Sequence, residues 1–203
     1  MSERGRPSEY SAQELLDLAI EVIAEDGLAG CTFRTLADRA NTSTTTFTYR
    51  FGSRTKLIGE VLARAYSLGW EEMELDELEH PDPIKRLYEI GLADLQLKEE
   101  IDPYKRAYVE ILVAAPREPE LMEALLGLDE SFLNSYQVLI ERAQEMGQLD
   151  PELDPYGLTL AVWSVIDGLN LNRYAYWEDL GADRIEFYFR RIFEGLIGRE
   201  VDG

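Results

Sequence analysis

Residues 32–57 read TFRTLADRANTSTTTFTYRFGSRTKL. The segment opens on Thr32, a residue suited to cap a helix, followed by Phe33, Leu36, Ala37 and Ala40 at helical spacing. Asn41-Thr42-Ser43 then supplies turn residues and ends in a good N-cap. The stretch Thr44 to Phe51 is harder. Five threonines fall between residues 42 and 48, β-branched residues are mediocre helix formers, and a threonine cluster alone reads as a polar loop. Phe47 and Phe51, however, sit four apart and continue the apolar face of Leu36 and Ala40. At about 100° per residue, Thr45 and Tyr49 then point away from that core, flanked by Thr46 and Thr48. The pattern predicts a short helix anchored by two phenylalanines and presenting hydroxyls outward. Gly52 ends it, and Ser53 starts a longer helix with Leu57, Ile58, Val61, Leu62 and Ala65 as its stripe.

Helical periodicity extends in both directions. Upstream, Ser11 with Glu14 three residues on has the form of a capping box, and Leu15, Leu16, Ala19, Ile20 and Ile23 make one stripe before Gly27. Downstream of His80-Pro81-Asp82-Pro83, Pro and Gly punctuate five further segments at 83–99, 103–115, 118–146, 154–179 and 182–199. Asp82, Asp102 and Asp154 are placed to cap three of them. No stretch alternates apolar and polar cleanly enough for a strand. An all-α chain of about nine helices is expected.

The chain has 203 residues, and 40 Asp+Glu against 20 Lys+Arg give a formal net charge of −20. As an average this argues against nucleic acid, because phosphates repel an acidic protein. The charge is uneven, though. Residues 30–57 carry five bases (Arg34, Arg39, Arg50, Arg54, Lys56) and one acid, Asp38, whereas residues 11–29 carry five acids and no base. Such asymmetry points to a local anionic partner. A hydrophobic content of 45% suffices for a buried core and excludes wholesale disorder. The single cysteine, Cys31, excludes a disulfide framework and fits a reducing compartment. The start, MSERGRPSEYS, lacks the apolar region of a secretory signal. No apolar run approaches the ~18–20 residues a bilayer requires. A cytoplasmic protein with no membrane span is expected.

A helix, a three-residue turn and a second short helix, packed on a preceding helix, is helix-turn-helix logic. The ordered set Gly27, Thr32, Leu36-Ala37, Ala40, Ser43, Phe47, Phe51, Ser53 and Leu57 closely resembles the N-terminal domain of the tetracycline-repressor (TetR) family. The nine-helix layout extends the resemblance over the whole chain. It implies an all-α homodimer with a helix-turn-helix DNA-binding domain at residues 1–57 and an effector-binding and dimerisation domain at 58–203. The third helix would enter the major groove of a double-stranded DNA operator, and a small-molecule effector in the body would change the spacing of the two heads. The resemblance assigns Arg34, Thr44, Thr45, Thr48 and Tyr49 to reading, Ser43 and Thr46 to phosphate contact, and Arg54 to a backbone contact the family usually makes with lysine. Arg50 and Lys56 add salt-sensitive attraction, and Arg4 and Arg6 form a short basic arm. Two positions depart from the family pattern: Thr48 replaces a usual tyrosine, with Tyr49 one place later, and Asn41 replaces a usual turn glycine. No cofactor or metal is implied.

In the body, Ile185, Tyr188, Phe189, Ile192, Phe193, Leu196 and Ile197 make too broad an apolar surface for a helix packed on one side only. With the preceding segment they resemble the family's dimer interface, for which the candidates are Val162, Ile166, Phe189, Ile192, Phe193 and Leu196, with Gly168 and Gly195 permitting close approach. Tyr104, Tyr108, Phe132, Tyr136, Trp163, Asn170, Tyr174 and Trp177 are candidates to line an effector pocket, plain core packing being the other reading. An enzyme is not expected. His80 is the only histidine, and no Gly-rich phosphate loop occurs. The remaining rival is a helical ligand-binding or interaction dimer whose DNA-binding head is degenerate.

Overall fold

A computed structural model of the chain describes residues 10–70, 80–95, 102–175 and 181–201. Their secondary structure is entirely helical: α1 (Ala12–Gly30), α2 (Phe33–Arg39), α3 (Thr44–Phe51), α4 (Arg54–Trp70), α5 (Pro83–Leu95), α6 (Asp102–Ala114), α7 (Pro119–Glu145), α8 (Pro155–Ala175) and α9 (Ala182–Ile197), with a 3₁₀ turn at Ala115–Arg117. Local chemistry explains most of the starts. The Ser11 hydroxyl accepts from the Glu14 amide at 3.2 Å while the Ser11 amide donates to Glu14 Oε2 at 2.7 Å, a complete capping box. Thr32, Ser53 and Asp154 each accept from an amide three residues on, and Asp82 Oδ1 accepts from the amides of both Ile84 and Lys85. Proline stands first in α5, α7 and α8, where its missing N–H breaks no ladder bond. The Asp102 side chain, residues 71–79 and the arm residues Arg4 and Arg6 lie outside what is described.

Two turns differ in detail from a plain helix end. Gly27 takes φ 73° and ψ 171°, which breaks the α1 ladder, and one more turn carries the chain to Gly30. Asn41, between α2 and α3, takes φ 48° and so does the work of the turn glycine.

The chain forms two compact units. The first comprises residues up to Tyr66 together with Pro103–Leu125. Its core holds Leu15, Ile20 and Ile23 of α1, Leu36 and Ala37 of α2, Phe47 and Phe51 of α3, and Leu57, Ile58, Val61 and Leu62 of α4. Tyr104 of α6 donates its hydroxyl to Asp17 Oδ1 of α1 at 3.2 Å, and Arg64 Nε of α4 lies 3.5 Å from the same oxygen. Cys31 is fully buried, and that burial pushes its thiol up to about 11.

The second unit runs from Ser67 to Asp102 and from Leu126 onward. Its core is built on Ile84, Leu87 and Tyr88 of α5, Leu139 and Ile140 of α7, Val162 and Ile166 of α8, and Phe189 and Phe193 of α9. Tyr88 stacks on Phe189 with ring centroids 5.6 Å apart. The close helix approach is at Gly91, where a Cβ would stand 2.6 Å from Phe189 Cζ and 3.1 Å from Ile166 Cδ1. Among the described residues, nothing lies within 4 Å of a Cβ placed on Gly168 or Gly195.

Gly91→Ala should lower stability by about 1–3 kcal/mol, because a methyl there overpacks a ring that has nowhere to go. Gly127→Ala, with none of the described residues within 4 Å of the added Cβ, should be neutral or slightly stabilising. Urea unfolding of both variants measures this, and an undiminished midpoint for Gly91→Ala contradicts the packing. Cys31 should resist iodoacetamide at pH 8, where only on the order of one thiol in a thousand is ionised, and react fast in urea. Mass spectrometry showing rapid native alkylation would contradict that burial.

Candidate nucleic-acid interface

The rotation of α3 is fixed by Phe47 and Phe51. Both are buried, and the Phe47 ring lies 6.0 Å from Phe33 and 6.1 Å from Phe51. The other face is therefore turned out: Ser43, Thr44, Thr45 and Thr48 are exposed, and Tyr49 is 92% exposed. So large an aromatic surface left in water has no role in the core of the first unit. The Thr48 hydroxyl donates to the Thr44 carbonyl at 3.1 Å, which uses its donor and leaves its methyl for apolar contact. At the start of α3, Thr46 Oγ1 lies 3.1 Å from Thr42 Oγ1 and 3.3 Å from Ser43 Oγ. Ser43 thus makes no side-chain bond to an α3 amide. Its hydroxyl joins a trio at the positive end of the helix, where a phosphate oxygen is favoured.

The basic residues divide into two groups. Arg34 in the first turn of α2, Arg50 in the last turn of α3 and Lys56 in the first turn of α4 are exposed. Arg39 is paired internally, with Nη1 2.6 Å from Glu25 and Nη2 2.8 Å from Asp26. Arg54 is half-buried. It turns inward, donating from Nε to the Cys31 carbonyl at 2.7 Å and from Nη2 to the Leu28 carbonyl at 2.6 Å. These two bonds tie the start of α4 to the end of α1, and the sequence offers no sign of them because both acceptors are backbone.

The residues proposed for an effector pocket fall into separate places. Tyr104 and Tyr108 belong to the first unit. Phe132, Tyr136, Trp163 and Asn170 come together in the second. Trp163 stands edge-on to Phe132 and Tyr136, with centroids 5.4 and 5.7 Å away. Tyr136 is fully buried; that burial first, then the carboxylates of Asp94 and Asp167, push its phenol well up, against the pull of Arg86. Asn170 is 2% exposed and donates from Nδ2 to Asp94 Oδ1 at 2.8 Å, while its Oδ1 has no partner among the described residues. The sequence reading missed Asp94, which stands out only once α5 lies beside α8. The Tyr174 side chain and Trp177 lie outside the described residues.

The apolar residues of α8 and α9 divide between the protomer's own core and its surface. Val162, Ile166, Phe189 and Phe193 are buried in the protomer's own core, and Leu196 packs against it. Ile192 is exposed, together with Tyr156 and Leu160 of α8 and Phe187 and Tyr188 of α9. The outward apolar stripes are thus these five residues, and four of the six interface candidates support them from behind. Among the described residues, no helix is long and apolar enough to cross a membrane.

Comparison with known proteins agrees with this architecture. The family profile for bacterial regulatory proteins of the tetR family matches residues 15–61, and the profile for the BetI-type transcriptional repressor C-terminal region matches residues 83–198. No curated protein matches the sequence. Among solved structures, a transcriptional regulator from Rhodococcus sp. Rha1 superposes with a TM-score of 0.78 at 21% identity, over 96% of this chain and 100% of that one. The fatty acid degradation regulator FadR from Bacillus halodurans gives 0.78 at 16% identity over 97% of each chain. A transcriptional regulator from Saccharomonospora viridis, solved in complex with choline, gives 0.72 at 18% identity, over 89% of this chain and 93% of that one. At these identities the structures speak to the fold, and the profile matches speak to descent. The helix-turn-helix at the N-terminal end and the helical segment after it each fall within a matching profile: the chain belongs to the tetR family of bacterial regulatory proteins and is a transcriptional regulator.

Proposed function

We propose that the protein is a homodimeric repressor that binds an operator through α3 and leaves it when a small molecule occupies the body, with the DNA-binding domain at residues 1–57 and the effector and dimerisation domain at 58–203. One observation carries the DNA-binding part. Phe47 and Phe51 are buried on one side of α3, while Thr44, Thr45, Thr48 and Tyr49 stand exposed on the other. Threonine hydroxyls bond phosphates and base edges, and their methyls, like the Tyr49 ring, pack on thymine methyls. Arg34 is the residue suited to bidentate readout, and Arg50 and Lys56 supply attraction to phosphate.

The repressor reading is supported by the BetI-type repressor profile over the body. The dimer reading is supported by the exposed stripes of Tyr156, Leu160, Phe187, Tyr188 and Ile192, an apolar surface that a second copy would cover. The effector reading rests on Phe132, Tyr136 and Trp163 beside Asp94 and Asp167. Rings and carboxylates suit an organic cation such as the choline held by the Saccharomonospora viridis protein. A cytoplasmic location follows from a role on DNA.

A gel-shift against the DNA flanking the protein's own gene should give a specific complex that choline, or another small organic cation, dissolves. With Arg34, Arg50 and Lys56 of each head meeting phosphate, log K should fall with log salt at a slope of roughly −5 for the dimer. Arg34→Ala or Thr45→Ala should alter the preference among sequences, by about 1–3 kcal/mol at the affected base pair. Lys56→Ala should weaken all sequences alike and make the slope shallower. A protein that binds no duplex while still dimerising would instead be the ligand-binding dimer with a degenerate head.

A further inference from the structure

Arg54 is the first residue of α4, and Cys31 stands just before the Thr32 cap of α2. The 2.7 Å bond from Arg54 Nε to the Cys31 carbonyl therefore closes the neck of the segment that contains α2 and α3. The same guanidinium reaches the Leu28 carbonyl from Nη2 at 2.6 Å and faces Glu118 Oε2 from Nη1 at 3.8 Å. Leu28 is held from its other side as well, because its amide donates to Glu110 Oε2 at 3.4 Å. That amide is available because Gly27, at φ 73°, has broken the α1 ladder. Glu110 Oε2 lies 3.3 Å from where a Gly27 Cβ would stand, so the carboxylate fills the room a side chain would need.

These contacts form one junction inside the first unit. The end of α1 offers a carbonyl and an amide, the neck of the helix-turn-helix offers a second carbonyl, and the 103–125 segment supplies two carboxylates. Arginine suits such a place because its rigid fork donates in several fixed directions at once. A lysine ammonium is a point charge on a flexible stem and cannot span the same acceptors. We infer that Arg54, Glu110 and Glu118 are positioning residues, a polar latch that fixes α2 and α3 on α1. On the DNA-binding reading above, operator affinity then depends on two carboxylates, groups that on charge alone oppose DNA.

That opposition makes the test sharp. The probe is the tightest duplex recovered from a randomised library with the full-length protein, titrated across salt. Glu118→Gln and Glu110→Gln should each weaken binding roughly three- to tenfold, and Arg54→Lys roughly tenfold or more, all with the wild-type salt slope, since no phosphate contact is lost. Circular dichroism should show the helix content retained. Tighter binding by either glutamine variant overturns the latch, because it means the acids act only as repulsive charge. So does wild-type affinity in Arg54→Lys, or a slope about 2 shallower for the dimer in Arg54→Gln, since both mark a phosphate contact. Amide hydrogen exchange at Leu28 judges the latch without DNA. At least about tenfold faster exchange in Glu110→Gln supports it, and an unchanged rate overturns it. Should the wild type bind no duplex at all, the DNA-binding reading fails by itself and the Leu28 exchange still decides.

Discussion

The burial of Phe47 and Phe51 is the interaction on which the functional surface depends. Half of α3 is threonine, and eight residues are too few for a helix to persist alone in water. The helix exists because two rings enter the core with Phe33, each contributing about 1.5–3 kcal/mol by leaving water. Its rotation is consequently not a free variable. A slip of one residue would swing every side chain by about 100°, bringing threonine hydroxyls into the core and phenyl rings into solvent. The packing that makes the helix also decides which residues it shows.

Around that helix, electrostatics is arranged by place rather than by total. The chain is strongly acidic, yet Glu25 and Asp26 of α1 are engaged by Arg39, and Glu110 bonds an amide. Arg34, Arg50 and Lys56 remain turned to solvent beside the exposed face of hydroxyls and Tyr49. Repulsion from the acidic remainder would weaken non-specific association with DNA and favour approach through this face. The −20 average is thus a constraint on how the protein meets DNA.

What the sequence revealed, and what it hid, follows from the range of the interactions. Capping is chemistry between residues two or three apart, so Ser11, Thr32, Ser53, Asp82 and Asp154 could be read directly, as could Asn41 in its positive-φ turn. Ser43 escaped because its hydroxyl had another partner nearby in Thr46. Arg54 was illegible, since its acceptors are two carbonyls more than twenty residues back and a carboxylate sixty-four residues on. The α8 and α9 surface was half legible. Periodicity told that α9 is apolar on more than one side, but not that Phe189 and Phe193 belong inside while Phe187, Tyr188 and Ile192 belong outside. For the body site, composition pointed to Phe132, Tyr136, Trp163 and Asn170, whereas Asp94 needed the packing of α5 beside α8 to be seen.

On this view an acidic chain reads DNA with one short helix held by two phenylalanines. Residue-resolved hydrogen exchange with and without a binding duplex addresses it most directly. Protection should rise across residues 33–56, strongest at Thr44–Phe51, with α8 and α9 unchanged. Protection confined to the body, or none in α3 while a complex is present, would contradict it.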